Sequence, residues 1–85
     1  MDSSLFAQLT QAADQQLDAQ GLACPLPLLK AKLALQGLKT GNKLLVIASD
    51  PGSWDDLFSY TQLSEHQMLE RHEQDQRYYF LIEKG

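Results

Sequence analysis

With 85 residues, 44 % of them hydrophobic, this chain has material for one domain with one modest core. A formal net charge of −4 argues against general nucleic-acid binding, which relies on neutralising phosphates. Cys24 is the only cysteine, so no internal disulfide can staple the fold.

The opening residues, MDSSLFAQLTQAADQQ, have neither the basic start nor the apolar run of a secretory leader, and no stretch approaches bilayer length. A reduced, cytoplasmic protein with no membrane association is expected. Residues 1–14 are read as an N-terminal extension, either a frayed tail or a short helix with Leu5, Leu9 and Ala12 at helical spacing after Ser3 or Ser4. Residues 15–85 are read as the folded domain.

Residues 15–19 (QQLDA) predict a short strand, ended by Gly21. CPLPLLKAKLALQGLKTG then predicts the best helix of the chain. Pro25 and Pro27 fall in its first turn, where amide hydrogens have no intrahelical acceptor, and Gly37 or Gly41 supplies the stop. KLLVIA (43–48) is a continuous apolar run suited to a buried central strand. Asp50-Pro51 reads as an N-cap followed by proline at the first helical position. Trp54, Leu57 and Phe58 give that second helix a core face, while Asp55 and Asp56 suit its dipole. Residues 65–72 are a poor strand, with only Met68 and Leu69 apolar. RYYFLIE (77–83) is a good one, with Tyr78, Phe80 and Ile82 on one face and Tyr79 and Leu81 on the other. The polar residues 73–76 between them suit a hairpin turn. The order βαβαββ predicts an α/β (α+β) two-layer sandwich, a four-stranded mixed sheet with two helices on one face.

Charge is unevenly spread. Residues 1–48 hold three acids against Lys30, Lys32, Lys39 and Lys43, and residues 49–85 hold eight acids against Arg71, Arg77 and Lys84. The lysines after Cys24 form either a solvated helix face or a basic patch for an acidic partner or a tRNA.

Cys24 has the position of a working thiol. Gly21 allows a tight exit from the first strand, and Pro25 fixes the backbone that starts the helix. At or beside the N-cap, the helix dipole favours thiolate over thiol, with the amides of Leu26 and Leu28 as the donors within reach and Lys30 or Lys32 adding positive potential. A lowered thiol pKa is therefore expected. Along the helix, Leu28, Ala31, Leu35 and Leu38 form one apolar ridge, with Ala34 beside it, and Leu26, Leu29 and Leu33 form another roughly opposite. The second ridge either packs against the neighbouring helix or the N-terminal segment, or is a docking surface beginning one turn from the sulfur, with Lys30 and Lys32 alongside. His66 and His72, without a nearby third ligand, are read as solvent-facing strand residues; no metal and no cofactor is expected. Asp55-Asp56 is discounted as an acid–base pair because adjacent helical residues point about 100° apart.

LDAQGLACPLPLLKAK, GNKLLVIASDP and RYYFLIEKG together resemble the three signature stretches of the TusA/SirA family, over roughly residues 16–85. The resemblance implies a βαβαββ sandwich whose motif cysteine carries sulfur as a persulfide. Its donor would be a cysteine desulfurase or another persulfide donor, its acceptor a downstream thiol protein. For the type member the route leads to 2-thiouridine in tRNA, an indirect tRNA link; other members serve dissimilatory sulfur oxidation, molybdenum-cofactor or selenium metabolism. The motif maps onto Cys24, Pro25 and Pro27, with Asp18 and Gly21 in the approach strand and Asp50-Pro51 at the second helix start. Leu26 replaces an acidic residue of the type member, and Gln20 and Ala23 replace basic ones, so a changed partner is expected.

One thiol suits a carrier. A thiol oxidoreductase usually needs a second, resolving cysteine, whereas a persulfide relay needs one. The alternatives are a regulatory or interaction module and a thiol redox protein with Cys24 as sensor. A carrier would be a transferase-like relay rather than a true catalyst, since each transfer leaves it to be reloaded.

Overall fold

The computed structural model describes residues 3–85; the first two residues of the N-terminal extension lie outside them. The elements are α1 (Ser3–Ala12), β1 (Gln15–Ala19), α2 (Leu26–Gln36), β2 (Lys43–Ala48), α3 (Ser53–Gln62), β3 (Gln67–Gln74) and β4 (Arg77–Glu83). The strands form one mixed sheet in the order β1-β2-β4-β3. β1 lies parallel to β2, with Ala19 beside Ala48, while β4 runs antiparallel to both β2 and β3.

The apolar run 43–48 makes β2 a central strand, and Leu44, Leu45, Val46, Ile47 and Ala48 are all buried. Its alternation divides the core in two. Leu44, Val46 and Ala48 face α2 and α3 with Tyr78, Phe80 and Ile82 of β4, as the alternation in RYYFLIE predicts. From α2, Ala31 and Leu35 complete that core, flanked by Leu28, Ala34 and Leu38, so the first apolar ridge is the one that packs. From α3 comes Leu57.

The opposite face carries Leu45, Ile47, Tyr79 and Leu81, and α1 covers it with Leu9, Leu5 and Phe6. The α2–α3 sandwich is thus the expected one, with a third helix added on the second face. Asp14 ties this helix to the sheet. Its carboxylate accepts the Lys43 amide at 2.8 Å, and its own amide donates to the Lys43 carbonyl at 2.8 Å. The hydrogen bond from Lys43 and a second from Asn42 hold the Asp14 carboxyl below the ordinary carboxylate range.

Three local expectations are corrected. Asp50-Pro51 does not cap α3: the helix starts at Ser53 with Gly52 at the N-cap, and Asp50 instead closes a turn by accepting the Gly52 amide at 3.0 Å. Phe58 is not a core residue. Its ring lies outside the core, 37 % exposed, and Arg71 of β3 stacks there, 4.3 Å from its centre and 4.0 Å from that of Trp54. Arg71 also donates to the Trp54 carbonyl at 3.0 Å, and so ties α3 to the edge strand. Finally, β3 covers 67–74 rather than 65–72, with a register shift between Met68 and Glu70, and the hairpin turns on Asp75 and Gln76, both at positive φ. Two residues in that region define a primed turn, whose twist matches the flanking strands.

The packing sets two expectations. Leu35→Ala should cost about 2–5 kcal/mol, whereas Leu33→Ala, at a position 67 % exposed, should stay within about 0.5 kcal/mol of the parent; urea unfolding of the two variants checks the contrast. A folded-state pKa held below its unfolded value gives stability that is present above the unfolded pKa and lost as pH falls through the folded one. Asp14→Asn should therefore lower the urea midpoint at pH 7, and its difference from the parent should close as pH falls below the ordinary carboxyl value of 3.8.

Candidate functional site: a thiol where two helices begin

β1 and β2 are parallel and end side by side, so the segments leaving them emerge at the same end of the sheet. One leads into α2 and the other into α3. Gly21, at φ +81°, makes the turn out of β1 in a conformation that side-chain-bearing residues rarely adopt. Its amide donates to Ser49 Oγ at 2.8 Å, which joins the two exits. Asp18 sits just before this turn, and its Oδ1 accepts both the backbone amide and the side-chain amide of Gln20, at 3.0 and 3.1 Å.

Cys24 comes directly after this turn and is exposed. It precedes Pro25, which takes the N-cap position of α2, with Pro27 buried in the first turn. The Cys24–Pro25 peptide is cis. From the other exit, Gly52 approaches closely: a Cβ placed on it would lie 3.3 Å from Cys24 Cβ and 3.5 Å from the sulfur. The thiol is therefore exposed but flanked by the start of α3.

The electrostatics differ from the expectation. The amide of Leu26 donates to the Ala23 carbonyl at 2.9 Å, so it is not aimed at the sulfur. The sulfur's hydrogen bond is a donation from the thiol to Oδ2 of Asp56, in the first turn of α3. That bond, some desolvation, and the negative charges of Asp56 and Asp50 push the Cys24 thiol above its ordinary pKa. The lowered pKa expected from the helix dipole is thus overturned. A macrodipole amounts to about half a charge spread over the first turn, and Pro25 and Pro27 remove two of its N–H groups. A whole carboxylate in contact with the sulfur outweighs it. The charges that chiefly set the thiol are the two carboxylates rather than Lys30 or Lys32; Lys32 lies 5.0 Å from the Tyr60 ring centre.

Asp56 is the site residue that sequence reasoning missed. Its first-turn position is compatible with dipole compensation, and that sufficient explanation hid its contact. The signal that points to it is topological: parallel β1 and β2 bring the first turn of α3 beside the residue that starts α2.

The second apolar ridge of α2 does not pack. Leu26 is 44 %, Leu29 46 % and Leu33 67 % exposed, since α1 lies on the other face of the sheet. Lys30 is exposed beside it. His66 and His72 have structural partners: His66 Nδ1 accepts the Gly85 amide at 3.0 Å, and His72 Nε2 lies 2.9 Å from Glu70. No helix of the described residues is long and apolar enough to cross a membrane.

Comparison with known proteins converges on one family. The family described as sulfurtransferase TusA matches residues 15–84. The sulfur carrier protein TusA of Allochromatium vinosum is 44 % identical over 72 residues, which cover 85 % of this chain and 95 % of that protein. The putative sulfur carrier protein YrkI of Bacillus subtilis is 38 % identical over 73 residues, covering 86 % and 97 %. The crystal structure of a SirA-like protein from Desulfitobacterium hafniense superposes with a TM-score of 0.74 at 29 % identity, covering 84 % of this chain and 97 % of that one. With motif, fold and matched length in agreement, this chain belongs to the TusA family of sulfurtransferases.

Proposed function

We propose that this protein is a sulfur carrier that holds one sulfane sulfur as a persulfide on Cys24. The observation that supports it best is the exposure of the chain's only cysteine at the meeting point of two helix starts. A thiol placed there meets a partner's sulfur without the fold having to open. Family membership and the named function of the Allochromatium vinosum relative point the same way.

The cycle needs one thiol. The Cys24 thiolate attacks the outer sulfur of a persulfide on a cysteine desulfurase or another donor and becomes Cys24–S–SH. An acceptor thiolate then removes that outer sulfur by the same exchange, and Cys24 is restored. Both partners are thiol proteins. Leu26, Gln20 and Ala23 differ from the type member around the sulfur, so the function proposed is carriage between protein thiols, with tRNA 2-thiouridine as one destination to be tested.

The exposed ridge of Leu26, Leu29 and Leu33, with Lys30 beside it and Lys32 along the same helix, is the surface on which the persulfide donor docks. It begins within two residues of Cys24, and a partner seated on it has its own sulfur near the carrier's. Burial of exposed leucines on docking contributes roughly 25 cal/mol per Å² of apolar area, reduced by the cost of association.

Two measurements test these statements. Incubation with a cysteine desulfurase and cysteine should add one sulfur to the intact mass, the increment disappearing with a thiol reductant and in Cys24→Ser. No increment from any of several persulfide donors leaves a regulatory or sensor module instead. Leu26→Glu should slow loading from a protein donor by about tenfold or more while leaving loading from a small-molecule persulfide unaltered; an unchanged rate from the protein donor removes Leu26 from the docking surface.

A further inference from the structure

A sulfur carrier requires a thiolate, yet the environment of Cys24 favours the thiol. The S–H donates to Asp56 Oδ2, and the charged groups that act on the sulfur are Asp56 of α3 and Asp50 of the turn before it. Both charges carry the same sign, and both come from the segment that opens α3. Asp56 is half-buried in the first turn of α3, next in sequence to Leu57, which is wholly buried in the core.

On the basis of the sulfur-carrier reading, we infer that Asp56 latches Cys24 as a neutral, hydrogen-bonded thiol in the free protein, so that a sulfur donor has to open this contact before sulfur moves. A role for Asp56 as proton acceptor is the weaker account. With the proton on sulfur, Sγ donates and Oδ2 accepts, so one contact satisfies both atoms. Opening releases the Cys24 proton to water or to a basic group of the donor. The thiolate then attacks the outer sulfur of R–S–SH: the Cys24–sulfur bond forms, the donor's S–S bond breaks, and the donor's inner sulfur leaves with the electron pair and takes up a proton. R–S–SH and Cys24–SH become R–SH and Cys24–S–SH, with no outside oxidant or reductant. Unassisted encounters with small electrophiles are slowed by the same contact, because little thiolate is present. The latch therefore favours donors whose docking displaces or neutralises Asp56.

The test compares the parent protein with Asp56→Asn, which keeps size and removes charge, and with Asp56→Ser as a second variant should the first fold poorly. Circular dichroism reports the fold, the pH profile of iodoacetamide alkylation reports the thiol, and intact mass after exposure to glutathione persulfide reports sulfur uptake. The latch predicts that both variants shift the alkylation profile to lower pH. At pH 7 their alkylation and their uptake should be about fivefold faster, the factor for a unit charge removed at contact distance in water. In the parent, alkylation should also require higher pH in the folded state than in urea. Profiles that superimpose overturn the latch, and so does faster alkylation with slower uptake, which assigns Asp56 to proton transfer. Alkylation that responds as predicted while none of the proteins gains sulfur leaves the latch standing and overturns the carrier reading.

Discussion

The parallel pairing of β1 with β2 is the constraint that sets the position of the site. Parallel neighbours must end on the same side of the sheet, and the chain between them must cross over, here through a helix. Two helix starts therefore lie together beyond Ala19 and Ala48. Burial of β2 on both faces makes this arrangement hard to displace, since its side chains belong to the α2–α3 core and to the α1 core at once. Sliding β2 by one residue would exchange the two sets of side chains and unpack both faces. The position of the thiol is thus fixed by hydrophobic packing well away from it.

Around the sulfur, three influences compete and differ in size. The helix dipole of α2 is diffuse and weakened by two prolines. The lysines of α2 lie further along the helix, and Lys32 sits over Tyr60. The contact with Asp56 is direct and carries a full charge, so it decides the state of the thiol. A helix start is commonly read as a thiolate-stabilising place; here one helix provides the position and its neighbour provides the opposing charge.

Much of this was legible in the sequence, for physical reasons that can be named. β1, β2 and β4 have the predicted bounds because their apolar patterns are strand-like and closed by glycine, proline or charge. The packed ridge of α2 follows from helical spacing. Long-range electrostatics was not legible: that Asp56 rather than Asp55 reaches the sulfur depends on the rotation of α3, which no local pattern encodes. Phe58 was misplaced for a similar reason: the same rotation leaves its ring outside the core, where Arg71 of another strand stacks on it. The β3–β4 turn was blurred because Asp75 and Gln76 take positive φ without the glycine that usually announces it. The start of α3 was misread because Asp50-Pro51 has the composition of a cap while its side chain serves the turn ahead of the helix.

The bond between Cys24 and Asp56 exists only while the sulfur bears a hydrogen. Any group attached at Sγ takes the place of that hydrogen, and Asp56 loses the donor it has in the free thiol. Substitution of the thiol therefore changes which polar groups this corner offers, whatever the attached group is.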